Sequence, residues 1–171
     1  MGELKRTESE REAVMASQNR DDVYERYGAM LYRQAMVYLK NPADAEDALQ
    51  DVLERWMRKA PTFESLDHER RWLLRITINR CKDMLRFRFR RESVPLESIV
   101  ERGAPDEDRA LLKAVMALPM KYKTALHLYY YEGYSVEETA KILGASPSAV
   151  KMRLKRGREQ LKMNMEDRHE A

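Results

Sequence analysis

Three groups of side chains in this chain of 171 residues have types and spacings that could do chemistry. The first is acidic: Asp44, Asp47, Gln50, Asp51 and Glu54 recur at helical intervals and make an outward set. Carboxylates so placed could hold a divalent cation or act as an acid and base pair. They lack a histidine, a glycine turn and a closing loop, so a solvated face and a docking surface for a basic partner are the readings kept. The second group is a mixed stripe of Trp72, Ile76, Asn79 and Asp83, with Phe87 close by and cations on both flanks. An indole, an amide and a band of arginines exceed what a core-facing helix needs. In the third, Ser148, Ala149, Lys151, Met152, Lys155 and Arg156 face outward from a basic helix, with Arg153, Arg158 and Lys162 along its flanks. That pattern suits base edges met by the early residues and phosphates met by the flanking cations.

These groups need helices to carry them. VYERYGAMLYRQAMVYLK has Val23, Tyr27, Met30, Leu31, Gln34, Val37 and Tyr38 at helical spacing. Asn41 and Pro42 read as an N-cap and first-turn proline, with Asp44 suited to the positive helix start. Ala45, Leu49, Val52, Leu53 and Trp56 form the inner face of that second helix, which ends before Pro61. TFESLDHE is expected as a loop. In RWLLRITINRCKDMLRFRFRRE, Leu74, Ile78, Cys81 and Leu85 form an apolar stripe opposite the mixed one.

Residues 92–108 hold two prolines, a glycine and many acids, the composition of a linker. Helical pattern resumes at RALLKAVMAL, stops at Pro119 and continues to Gly133. Ser135 and Glu138 form a capping box, Gly144 suits a left-handed exit, and Ser146 with Pro147 starts the next helix. Helix, glycine turn and helix make a helix-turn-helix. Val150, Leu154, Gly157 and Leu161 are its inner side, with Gly157 allowing close approach. The tyrosines of YYYEGY are read as packed with exposed tips and His127 as a packed residue, not a ligand.

The expected fold class is all-α, two small helical domains joined by a flexible acidic linker. The boundaries are a polar tail 1–19, a domain 20–91, the linker 92–108, a domain 109–165 and a tail 166–171. Net charge is only +3, but it is sorted. Residues 70–91 carry nine Arg or Lys against Asp83, and residues 151–162 carry six against Glu159, while 44–54 hold five acids and no base. The single Cys81 excludes an internal disulfide and is read as packing. Without a signal-like or membrane-length apolar run, a soluble, cytoplasmic protein is expected. With no phosphate-binding glycine loop, nucleophile with its base or metal cluster, no catalytic activity, cofactor or metal is expected.

DAEDALQDVLERW, then WLLRITINRCKDMLR, then LPMKYKTALHLYYYEGYSVEETAKILGASPSAVKMRLKRGREQLK closely resemble, in order, the bacterial sigma-70 family in its extracytoplasmic-function group. The resemblance spans about residues 20 to 163. It implies a region 2 domain that grips core RNA polymerase and recognises the −10 element, and a region 4 domain that reads the −35 element. Asp44, Asp47, Gln50, Asp51 and Glu54 then correspond to the contact with the coiled coil of the polymerase's largest subunit. Asn79, with Trp72, Arg75, Lys82 and Arg86, corresponds to the helix that opens the −10 duplex and holds the non-template strand. Ser148, Ala149, Lys151, Met152, Lys155 and Arg156, with Arg153 and Arg158 beside them, correspond to the −35 helix. An anti-sigma factor, commonly membrane-anchored, is a further implied partner.

Two departures matter. FESLDHERRW lacks the Arg-Gly segment of many relatives in the loop that captures a flipped base, so the identity of that base is not carried over. Ala149 and Met152 stand where relatives often have hydroxyl side chains, which removes hydroxyl donors, so the −35 sequence preference is not carried over either. Two alternatives stay open on the residues alone. One is a stand-alone helix-turn-helix repressor or activator, which leaves the acidic helix and the mixed face unused. The other is a helical interaction module with a membrane-surface basic segment at Arg86 to Arg91, which leaves the helix-turn-helix idle.

Overall fold

Side-chain caps set the helix starts of the N-terminal half. Asn19 accepts the Asp21 N–H at 3.3 Å and opens α1, Arg20–Leu39. Asn41 accepts the Asp44 N–H at 3.1 Å and, with Pro42 behind it, opens α2, Pro42–Lys59. The Ser65 hydroxyl accepts the His68 N–H at 3.1 Å at the start of α3, Leu66–Phe87. The computed structural model describes residues 19–87 and 106–169, every element there helical, in two units divided at Arg91 and Glu92. Residues 1–18 of the expected tail 1–19 and most of the expected linker lie outside the described residues, while Asn19 is the cap of α1.

Half of TFESLDHE is therefore helix, not loop. Ser65 is the cap, and His68 stands three residues on where a capping box would put Glu or Gln, so the start lacks the usual signature.

The helices α1, α2 and α3 each pack against the other two. Leu31, Leu49, Leu53, Leu73, Leu74 and Ile78 are 2% exposed or less. Each such side chain stabilises the bundle by about 1.5–3 kcal/mol relative to an exposed one. The expected stripe on α3 holds through Leu74, Ile78 and Cys81 and fails at Leu85, which is 49% exposed while Met84 is buried. Leu85, Arg86 and Phe87 point in three directions and all are exposed, so the last turn runs past the helices it packs on. Ile76, expected on the mixed face, is core at 6% exposure. Packing against two helices at once widens the buried arc until it takes in Leu73, Ile76 and Thr77.

Glu69, expected in a loop, is 1% exposed in the middle of this bundle. Its Oε2 accepts the Tyr27 hydroxyl of α1 and its Oε1 the Trp56 Nε1–H of α2, both at 3.1 Å. An Arg26 Nη1 lies 3.9 Å from Oε2. A buried carboxylate is tolerated on such terms because the donors replace its water.

Among the described residues the second unit has four helices and a π-helical turn: α4 Asp106–Met116, α5 Met120–Leu126 continuing into the π turn His127–Tyr131, α6 Val136–Leu143 and α7 Pro147–His169. Thus α4 takes in residues 106–108 of the expected linker, and α7 runs into the expected tail. The capping box of Ser135 and Glu138 is present in both directions, at 3.2 and 2.9 Å, and Gly144 exits α6 at φ 62°. Leu118, Ala125, Leu126, Ala140, Val150 and Leu154 form the core.

Burial, with Glu69 beside it, pushes the Tyr27 hydroxyl up to about 12. A raised folded value means that this contribution is intact below the unfolded value near 10 and is lost as pH rises toward 12. Tyr27→Phe should cost about 1–3 kcal/mol at pH 8, and urea unfolding should show that gap shrinking between pH 10 and 12. Burial, opposed by the Arg80 charge, likewise pushes the Cys81 thiol up to about 12. A thiol reagent at pH 8 should therefore modify Cys81 only as fast as the first unit unfolds.

Candidate nucleic-acid interface

The helix α3 turns one strip outward from its core. At about 100° per residue, Trp72, Arg75, Asn79, Lys82 and Arg86 fall within roughly a quarter of its circumference, along about 21 Å of axis. Arg75, Asn79, Lys82 and Arg86 are exposed and Trp72 is half-buried. Trp72 meets the ring of Phe63, itself buried, at 5.6 Å and 65°. Arg86 lies 3.8 Å from Asp83, while Arg80, outside the strip, pairs with Asp51 at 2.6 Å. An amide able to donate and accept, cations on both sides and an indole at one end can together contact phosphates, base edges and a base face.

The acidic set of α2 is not uniformly exposed. Asp47 and Glu54 are exposed, but Asp44, in the capped first turn, is 7% exposed and belongs to the inner surface. Asp51 sits at the edge toward α3, where Arg80 directs Nε at 2.7 Å and Nη2 at 2.6 Å to one carboxylate oxygen. Gln50 is bound on the other edge, its Oε1 by Arg20 of α1 and its Nε2 to Glu46 at 3.2 Å. At about 100° per residue the five still fall within roughly a third of the circumference, with Gln50 at the edge toward α1 and Asp51 and Asp44 at the edge toward the buried Ala48, so burial and pairing, not direction, separate them. Sequence reading missed Met57, 60% exposed, which with Arg20, Gln50, Glu54 and Arg58 lines a depression on the outer side of α2. Its signal was an apolar residue off the inner stripe.

In the second unit the Ser146 hydroxyl accepts the Ala149 N–H at 3.1 Å and starts the basic helix α7. Ser148, Lys151, Met152, Lys155, Arg156 and Arg158 are exposed, and Ala149 and Arg153 half-buried. Met152 is 48% exposed, an apolar contact on the outermost line of the helix. Arg158 directs Nη1 to the Tyr130 hydroxyl at 3.1 Å. Of the tyrosines expected to pack with exposed tips, only Tyr134 is buried; Tyr130 and Tyr131 are 58% and 65% exposed and Tyr129 lies between. His127 stacks on Tyr131 at 5.2 Å and lies 3.7 Å from Glu132, a packed residue. Among the described residues no group of three or more His, Cys, Asp or Glu could hold a metal ion, and no helix is long and apolar enough to cross a membrane.

A first unit with three helices among the described residues and a cationic strip, and a second unit built on a helix-turn-helix, define a two-part, all-α DNA-binding protein. The sigma-70 region 2 family model matches residues 23–91 and the sigma-70 region 4 model residues 108–161. The chain belongs to the sigma-70 family, in its extracytoplasmic-function group. It is 34% identical over 145 residues to the ECF RNA polymerase sigma factor SigM of Mycobacterium tuberculosis, covering 82% of this chain and 74% of that one. With the RNA polymerase sigma-E factor of Streptomyces coelicolor it shares 35% over 138 residues, 77% of each chain. The fold is shared with the sigma factor RpoE solved in complex with the anti-sigma factor NepR from Bartonella quintana, at TM-score 0.69 and 23% identity over 85% of this chain and 96% of that one.

What seats α7 is Gly157, where a Cβ would lie 3.1 Å from Leu126 Cδ1 and 3.2 Å from Tyr122 Cβ. The Tyr122 Cβ is fixed to its backbone and cannot swing away. Gly157→Ala gains about 1 kcal/mol of helix propensity against about 1–3 kcal/mol of overpacking. A net loss of about 1 kcal/mol is expected, read as a lower urea midpoint for the second unit in the full chain.

Proposed function

We propose that this chain is an ECF-type sigma factor that binds core RNA polymerase, directs it to specific promoters and promotes melting of the −10 region, with no catalysis of its own. The observation that carries the reading is the exposed strip of Arg75, Asn79, Lys82 and Arg86, ending at Trp72, on a helix whose core face is already complete. A stand-alone repressor has no use for it.

In this reading, α7 docks in the major groove of the −35 element, with Ser148, Ala149, Lys151 and Met152 toward base edges. Lys155, Arg156, Arg153 and Arg158 meet phosphates, which makes the affinity salt-dependent. Strand opening costs a few kcal/mol, offset by stacking and pocket contacts of about 1–3 kcal/mol per base. Asn79 and its cations hold the non-template strand along α3, Trp72 supplies an aromatic face, and the connection before α3 receives an extruded base. On the outer side of α2, Asp47, Glu54 and Met57 dock on the polymerase, and Gln50 and Asp51 support that face through Arg20 and Arg80. Asp44, being buried, contributes to the helix start and not to the contact. The site of action is the cytoplasm, where its template and polymerase are, and an anti-sigma factor is the partner proposed to hold these surfaces closed.

Asn79→Ala should slow open-complex formation roughly tenfold on fully duplex promoters and much less on templates melted in advance. Equal loss on both templates, measured by permanganate footprinting, would remove the strand-opening role. Asp47→Lys with Glu54→Lys spares the Asp51 and Arg80 pair and should weaken binding to core enzyme by about tenfold or more. Fluorescence anisotropy with labelled chain and purified core measures it, and unchanged affinity would return those acids to solvent.

A further inference from the structure

The connection between α2 and α3 is short, exposed at Pro61, Thr62 and Glu64, and nonetheless tied down from one position. His68, in the first turn of α3, accepts the backbone N–H of Glu64 on Nδ1 at 3.2 Å. Its own N–H goes to the Ser65 hydroxyl at 3.1 Å. Its ring meets Phe63 edge-on, centroids 5.5 Å apart at 90°, and Phe63 in turn leans on Trp72. One imidazole thus satisfies a backbone donor of the connection, backs its buried aromatic anchor and links both to the aromatic end of the cationic strip.

Nδ1 can accept only as the neutral ring with its proton on Nε2. Without the acceptor and the ring edge, the Glu64 N–H turns to water and Phe63 loses one of its two aromatic neighbours. The helix itself keeps its Ser65 cap and the buried Glu69 one residue on, so a change at His68 acts on the connection more than on the bundle.

We propose that His68 is a positioning residue for base capture: it holds residues 61–65 against Phe63 and Trp72, so that an extruded promoter base meets a surface already formed. The proposal rests on the reading of this connection as the base-receiving loop. Preorganisation matters here because a loop that orders only on binding spends interaction energy on its own ordering, and discrimination between bases falls with it.

The test uses holoenzyme assembled from full-length chain and core polymerase, on forked promoter templates carrying each of the four bases at the captured position. His68→Ala should lower the ratio between best and worst base by roughly five- to tenfold. His68→Asn, whose Oδ1 sits where Nδ1 was, should restore most of that ratio. Core affinity and the urea midpoint should be the same for all three proteins, which separates positioning from folding. Full discrimination by His68→Ala, or an Asn variant as poor as Ala, would overturn the proposal. Thr62→Ala with Glu64→Ala, a change at the exposed tip, tests the underlying reading. If that double variant loses discrimination while His68→Ala keeps it, the role of His68 alone fails; if both keep it, the loop reading fails and takes the proposal with it.

Discussion

The first unit depends on a carboxylate that water does not reach. Glu69 lies among three helices, and an ionised group there costs several kcal/mol unless its oxygens are bonded. The Tyr27 hydroxyl and the Trp56 indole supply those bonds from the other two helices, so sliding any helix by a turn would strand the charge. Apolar packing alone tolerates such slips far better, because one leucine resembles another. Register is therefore set by polar atoms and tightened by apolar ones. Asn79, ten residues and nearly three turns beyond Glu69, inherits its outward direction from that register.

Charge in this chain is informative by its placement. Lys and Arg nearly balance Asp and Glu, yet acids collect on α2 and bases on α3 and α7. Where the two sets meet, Asp51 and Arg80 neutralise each other across two helices at about 40% exposure, a pair contributing at most about 1 kcal/mol. Its larger consequence is positional, because it ties the acidic side of α2 to the adjoining basic helix. Met57, exposed beside those acids, is an apolar side chain of the kind that interface centres favour.

Local chemistry explains which parts were legible in the residues. Asn41 with Pro42, the Ser135 and Glu138 box and Gly144 act through backbone groups a few residues away, and all were found where the spacing put them. The helix-turn-helix and its exposed side chains followed. The π turn at His127–Tyr131 was not legible, since one widened turn leaves no mark on a helical pattern. The start of α3 was misjudged because its Ser cap is followed by His68 and not by the acid that would have announced it.

The sequence by itself determined the helical class, the caps and turns, the sorting of charge and the family, because each is carried by neighbours in the chain or by ordered motifs. The three-dimensional packing decided which polar residues are surface and which are structure. Asp44 and Glu69 are acids on amphipathic helices like Asp47 and Glu54, and nothing local marks them as buried. Whether a side chain at the edge of an apolar stripe meets water or another helix depends on how many helices pack there, and that is a property of contacts distant in sequence.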